Sequence, residues 1–246
     1  MTPADSAAGT AAGQDHRLAP VRPGRPRVLV FDVNETLSDM SSMGQRFEDV
    51  GAVRDLAGTW FSGLLRDGFA LTAVDASGRF ALLAAESLRV TLHGQPLNRG
   101  VQDAVAHVME GFAALPVHPD VDEGVRALAS SGIRLLTLSN GSASVAEGLL
   151  ERAGIREHFE ALLSVEDAGV WKPAGGAYAY ALEQSGVDPA EAMLVAVHPW
   201  DVDGAARAGL ATAWVSRTGG PYPEYFTAPD LTCASLTDLA DQLSSG

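Results

Sequence analysis

Apolar residues along this 246-residue chain fall into short unbroken runs and longer helical stripes. Val28–Phe31, Ile133–Leu138, Met193–Val197 and Ala211–Val215 have the length and composition of strands buried on both faces. Leu162–Val165 is a weaker run, and Leu231–Ala234 reads as an added edge strand. Helical patterns lie between them at about 120–130, 142–153, 174–186, 203–208 and 236–243. Gly132 and Gly154 stand where helix stops belong, and Asp188-Pro189 opens the turn before Met193. The strict alternation from position 120 onward predicts βαβ units on a parallel sheet, an α/β fold.

Residues 45–115 interrupt that alternation. Val53, Leu56, Trp60 and Leu64 share one helical stripe, Val101, Val105, Val108, Phe112 and Leu115 another, and Phe80–Leu92 is a third helical stretch. These predict a helical insert after the first strand, with His118-Pro119 marking the return to the sheet. The expected organisation is a tail at 1–26, a core made of 27–44 and 116–246, and a helical cap at 45–115 standing over the C-terminal edge of the sheet.

An apolar content of 46% supports a sizeable core, and a formal charge of −14 argues against nucleic acid or an anionic membrane as partner. No apolar run approaches the length of a membrane span. The single cysteine, Cys233, excludes an intrachain disulfide and reads as a small core residue of a late strand. Residues 1–26 are rich in Ala, Gly, Pro and polar residues without the apolar centre of a secretory signal, so a disordered tail and a cytoplasmic protein are expected.

Candidate chemistry collects where the runs end. Val28–Phe31 delivers Asp32 into the polar turn Val33-Asn34-Glu35-Thr36. Ser139-Asn140 follow Ile133–Leu138, Lys172-Pro173 follow the weak run, and His198-Pro199-Trp200-Asp201 follow Met193–Val197. Ligands of open parallel sheets bind at the carboxyl ends of the strands. A carboxylate there serves as a covalent nucleophile or simply as a helix cap. Ser-Asn-Gly is commonly a turn, a lone Lys a solvated side chain, and an Asp before a helix a cap. Four such groups in order at successive strand ends favour a site.

In these motifs, from Val28 to about Val215, the chain resembles the haloacid dehalogenase superfamily. Asp32-Val33-Asn34-Glu35-Thr36-Leu37, the His198-Pro199-Trp200-Asp201 segment and the helical cap look most like its type II 2-haloacid dehalogenase branch. The resemblance implies a Rossmann-like core, no cofactor and no metal, a small carboxylate substrate and a homodimer formed through the cap. It also implies roles. Asp32 attacks an electrophilic carbon, Lys172 keeps it ionised and Thr36 orients it. Ser139 and Asn140 hold the substrate carboxylate or donate to an oxyanion. Asp201 anchors Lys172, and His198 is a second group for placing water. Val33, Asn34, Trp60, Phe61 and His198 are expected around the substrate, and the 216–226 loop is a candidate pocket wall.

Two departures separate this chain from the Mg²⁺-dependent phosphatases of the superfamily. Asn34 stands where they carry an acid that protonates the leaving alkoxide, and an amide has no such proton to give. Val197 stands where they carry an aspartate metal ligand. A halide leaves without protonation, so both changes favour displacement at carbon. Against a simple dehalogenase, Phe61 occupies the slot of the cap arginine that receives the halide, with Arg54 and Arg66 nearby. Asn34 and His198 also replace the Tyr and Asn usual at their positions. A phosphatase with rewired acid chemistry and a non-catalytic binding module remain the competing readings.

Overall fold

The computed structural model describes residues 25–245, so the expected tail at 1–26 lies outside the described residues apart from Arg25 and Pro26. Strand β1 (Val28–Phe31) has no exposed residue because both of its edges and both of its faces are covered. It pairs in parallel with β2 (Arg134–Ser139) on one side and β4 (Ala192–Ala196) on the other. With β3 (Phe159–Ser164), β5 (Ala211–Val215) and β6 (Leu231–Cys233) these form a six-stranded parallel sheet in the order β3-β2-β1-β4-β5-β6. The chain adds β2 and β3 on one side of β1, then crosses back to add β4 on the other. The crevice between β1 and β4 is therefore the topological switch point, where α/β sheets bind ligands.

Alternate residues of the strands enter two apolar layers. Leu29 and Phe31 pack with Val125, Leu149 and Leu239 of α5 (Val121–Ser130), α6 (Ala143–Arg152) and α10 (Leu236–Ser244). After β3 comes the one-turn helix α7 (Val165–Ala168), and Val28 and Val30 belong to the opposite layer with Ala177 of α8 (Gly175–Ser185) and Val202 of α9 (Pro199–Arg207). Cys233 is buried on β6, and burial pushes its thiol up to about 12.

Several boundaries differ from those expected, each for a local reason. β3 starts at Phe159, three residues before the expected 162, because as an edge strand it tolerates the exposed Glu160, which pairs with Arg134 on β2 at 2.6 Å. α9 starts at Pro199 rather than 203, proline being suited to the first helical position. β2 and β4 are displaced from the expected runs by about one residue.

Between β1 and α5 the chain forms four α-helices: α1 (Met43–Asp49), α2 (Leu56–Thr72), α3 (Phe80–Thr91) and α4 (Val101–Ala113). α1 was not expected, and it begins two residues before the boundary placed at 45. Val53 falls in the turn before α2 and is exposed, so the stripe there starts at Leu56. The entering and leaving segments lie side by side, with Ser38 and Val117 in an antiparallel bridge and the His118 N–H donating to Leu37 O at 2.9 Å. The bundle is tied to the sheet layer mainly through Trp171. Its indole N–H donates to Gly78 O at 3.0 Å, its ring stacks on Phe80, and Gly68 of α2 lies against the same ring. Among the described residues no helix is long and apolar enough to cross a membrane.

Candidate active site

Asp32 leaves β1 with its backbone N–H donated to Val195 O of β4 at 3.0 Å, which sets its carboxylate in the switch-point crevice. The carboxylate is almost wholly buried and held by three side chains. Lys172 Nζ donates to Oδ1 at 2.9 Å. The Thr36 hydroxyl donates to Oδ2 at 2.7 Å, and itself accepts the Val197 N–H at 3.1 Å. His198 Nδ1 stands 3.2 Å from Oδ2.

Lys172 is the only lysine in the sequence and is fully buried. Its second carboxylate is Asp201 Oδ2 at 2.6 Å, and the hydroxyl of Tyr178 on α8 donates to Asp201 Oδ1 at 2.6 Å. A lone buried ammonium would be costly. Here each of its charges is matched, as buried ions require. Burial disfavours charge on both partners, yet the Lys172 ammonium and the His198 bond together hold the Asp32 carboxyl well below the usual carboxylate range. Burial likewise acts against the Lys172 charge, but Asp201 and Asp32 outweigh it and raise its pKa. Burial raises that of Asp201.

The loop that presents Lys172 is fastened by Asn140. Its Oδ1 accepts the Lys172 N–H at 3.0 Å and its Nδ2 donates to Lys172 O at 3.4 Å. Ser139 Oγ accepts the Gly141 N–H at 2.9 Å. Ser139 and Asn140 thus brace the loops at the ends of β2 and β3. Both side chains are buried and engaged with backbone.

Two cavities reach this cluster. One, of about 520 Å³, lies between the helical bundle and the sheet, with Met43, Phe61, Leu65 and Phe69 on its bundle side and His198 and Trp200 on its sheet side. The other, of about 500 Å³, is lined by Val197, Trp214, Ser216, Arg217 and Thr218 among others. Glu35, Met40 and His198 line both.

Of the expected pocket residues, Phe61 lines the first cavity and His198 both. Trp60 does not reach it. It is fully buried inside the helical bundle against Phe47 and Phe112, with its indole N–H on Ala84 O at 3.1 Å. One residue along a helix turns the side chain by about 100°, which puts Phe61 on the cavity wall and Trp60 in the bundle core. Val33 and Asn34 instead line a small cleft beside Phe112 and Val145. Of the 216–226 loop, Ser216–Thr218 line the second cavity, while Tyr222 packs on Trp214. Arg54 pairs with Glu48 at 3.0 Å away from either cavity, whereas Arg66 lines the first cavity and pairs with Asp67 at 2.8 Å.

Two members of the site were missed in the sequence. Tyr178 sits in an alanine- and glycine-rich helix with nothing local to mark it. Glu35 carries no role of its own in the sequence reading. Its φ of 62° is in the left-handed region, and that turn brings its Oε2 to 2.8 Å from His198 Nε2. The unique lysine was a signal in plain view.

A nearly dry carboxylate kept anionic by a buried ammonium, at the switch point of a parallel sheet and beneath a helical bundle, has the chemistry of a covalent nucleophile. The model of the haloacid dehalogenase-like hydrolases matches residues 26–209. (S)-2-Haloacid dehalogenase 4A of Burkholderia cepacia is 31% identical over 82% of this chain and 88% of its own. The (S)-2-haloacid dehalogenase of Pseudomonas sp. strain YL is 28% identical over 87% of this chain and 92% of its own. The structure of L-2-haloacid dehalogenase from Xanthobacter autotrophicus with chloropropionic acid covalently bound superposes with a TM-score of 0.79, at 25% identity, covering 90% of this chain and 99% of that one. The chain belongs to the haloacid dehalogenase-like hydrolase family, on its 2-haloacid dehalogenase branch.

Proposed function

We propose that the protein hydrolyses a 2-halocarboxylic acid to the 2-hydroxy acid through an ester on Asp32. The observation that carries the reading is the asymmetry around that carboxylate. Oδ1 faces the fully buried Lys172, whereas Oδ2, held from one side by the Thr36 hydroxyl, faces on the other His198, which lines both cavities. Oδ2 is therefore the oxygen a substrate reaches. Its attack on C2 expels halide with inversion, since only one displacement occurs at carbon. Oδ1 then becomes the ester carbonyl, with the Lys172 ammonium placed to receive the negative charge when water adds. Thr36 and Asp201 hold the nucleophile and the lysine in register, and Asn140 and Ser139 fix the loop that carries Lys172.

The apolar wall of Phe61, Leu65 and Phe69 suits the substrate's side group, and Arg66 is a cation available to its carboxylate. Asn34 supplies no proton to a leaving alkoxide, which weighs against a phosphate ester. Helices α1–α4 act as a cap that closes the site from water. Val74, Leu82 and Val90 are exposed on that cap, and a homodimer formed through it and a place in the cytoplasm are part of the proposal.

The test is halide release from a panel of 2-halocarboxylates with chelator present and Asp32→Asn as control. Release by the wild-type protein alone is expected. In a single turnover in water labelled with heavy oxygen, the product hydroxyl should carry the unlabelled oxygen of Asp32. Label in the product at that stage, or halide release by Asp32→Asn, would overturn the ester route.

A further inference from the structure

We propose that Glu35 and His198 form a carboxylate–imidazole base that breaks down the Asp32 ester, His198 taking the proton of the attacking water and Glu35 positioning the ring; this rests on the ester chemistry proposed above. The His198 ring spans two carboxylates, with Nδ1 at 3.2 Å from Asp32 Oδ2 and Nε2 at 2.8 Å from Glu35 Oε2. It is stacked on Trp200, which in turn packs against Phe69 of the bundle, so its plane is fixed.

Glu35 reaches it from a left-handed backbone, a conformation unfavourable for a non-glycine residue. That conformation is held by the Glu35 N–H donating to Ser38 Oγ at 3.2 Å and by the ring of His118, 3.0 Å from Glu35 O. Asp201, the other carboxylate beside Lys172, is fully buried and engaged by Lys172 and Tyr178, which leaves it no face for water. His198, by contrast, touches the reacting carboxylate and lines both cavities, so substrate and water can reach it from different sides.

The steps balance. Before reaction the ring is an imidazolium between two anions. Alkylation of Oδ2 forms the C2–O bond, breaks the carbon–halogen bond and removes one of those anions. The ring then releases a proton to solvent and keeps its Nε2–H on Glu35. Water adds to Cγ of Asp32 while Nδ1 takes its proton, and the charge collects on Oδ1 beside Lys172. Collapse breaks the bond from Cγ to the alkyl oxygen, and the departing alkoxide takes the proton from Nδ1. The acid left on Asp32 returns its proton to the ring. The sum is haloacid and water converted to hydroxy acid, halide and one proton.

The experiment is rapid-quench intact-protein mass spectrometry with halide detection on wild type, His198→Asn, His198→Ala, Glu35→Gln and Glu35→Asp, with 2-bromopropionate as probe. In His198→Asn one equivalent of bromide per site should be released in a burst, the alkylated protein should persist, and steady-state turnover should fall about 100-fold or more. Glu35→Gln should show the same pattern more weakly, and Glu35→Asp should recover part of the loss. Added imidazole should restore breakdown of the adduct in His198→Ala.

Wild-type turnover by His198→Asn, or slowed bromide release without an accumulating adduct, would overturn the proposal while leaving the dehalogenase reading intact. A wild-type protein that neither releases bromide nor becomes alkylated would instead remove that reading, and the proposed base with it.

Discussion

Lys172→Met tests the centre of the site and of the fold together. The methionine matches the length of the lysine but removes an ammonium that is fully buried between Asp32 at 2.9 Å and Asp201 at 2.6 Å. Removing one partner from a buried ionic cluster costs about 3–5 kcal/mol, because the charges left behind are neither solvated nor paired. For a chain of this size each kcal/mol moves the melting temperature by about 2–4 °C, so a drop of about 6–20 °C is expected. Without the ammonium Asp32 still has His198 beside it, but Asp201 is left buried with no cation and takes up a proton. A carboxyl whose folded pKa is raised contributes stability below its unfolded value and loses it as pH rises through the folded value. The deficit against wild type should therefore widen from about pH 4 to about pH 8. Thermal unfolding followed by circular dichroism across that range measures it. Adding Asp201→Asn should recover much of the stability but not the turnover, which should fall at least about 100-fold with the loss of the charge beside Oδ1. A variant with the wild-type melting temperature, or a deficit that is flat with pH, would refute the argument that this one ammonium holds both carboxylates.

Three further outcomes follow from the same geometry. Burial works against the His198 charge, but its bonds to Asp32 and Glu35 raise its pKa from 6.5 to about 9. It should contribute about 3 kcal/mol that is fully present below pH 6.5 and lost as pH rises through about 9, a dependence that His198→Asn should flatten in denaturant titrations. Gly68→Ala, a change that stabilises most helices, should destabilise here by about 1–3 kcal/mol and slow turnover, since an added Cβ would clash with the Trp171 ring that neighbours Lys172; a raised melting temperature would contradict it. Trp60→Phe should cost about 1–2 kcal/mol for the lost bond to Ala84 O yet leave KM unchanged, because Trp60 faces the bundle core and not the cavity.

The sequence by itself determined the parallel sheet, the helical insertion and the order in which Asp32, Ser139, Lys172 and Asp201 come with or after successive strands. Those features are local: period, run length and turn chemistry are written in contiguous residues, and parallel pairing then brings every strand's C-terminal end to one edge. The family motifs were legible for the same reason. Tertiary structure decided what each side chain faces. Phe61 and Trp60 are adjacent and both aromatic, and only packing against Phe112 and Phe47 separates wall from core. Asn140 reads in the sequence as a ligand for the substrate or an oxyanion, and only the fold ties its amide to the Lys172 backbone, 32 positions away. Glu35 joins His198 across 163 positions through a left-handed turn, and Tyr178 joins Asp201 through the meeting of two helices. Such pairings depend on crossing chains rather than on spacing along one, so they exist only once the sheet has closed around Asp32.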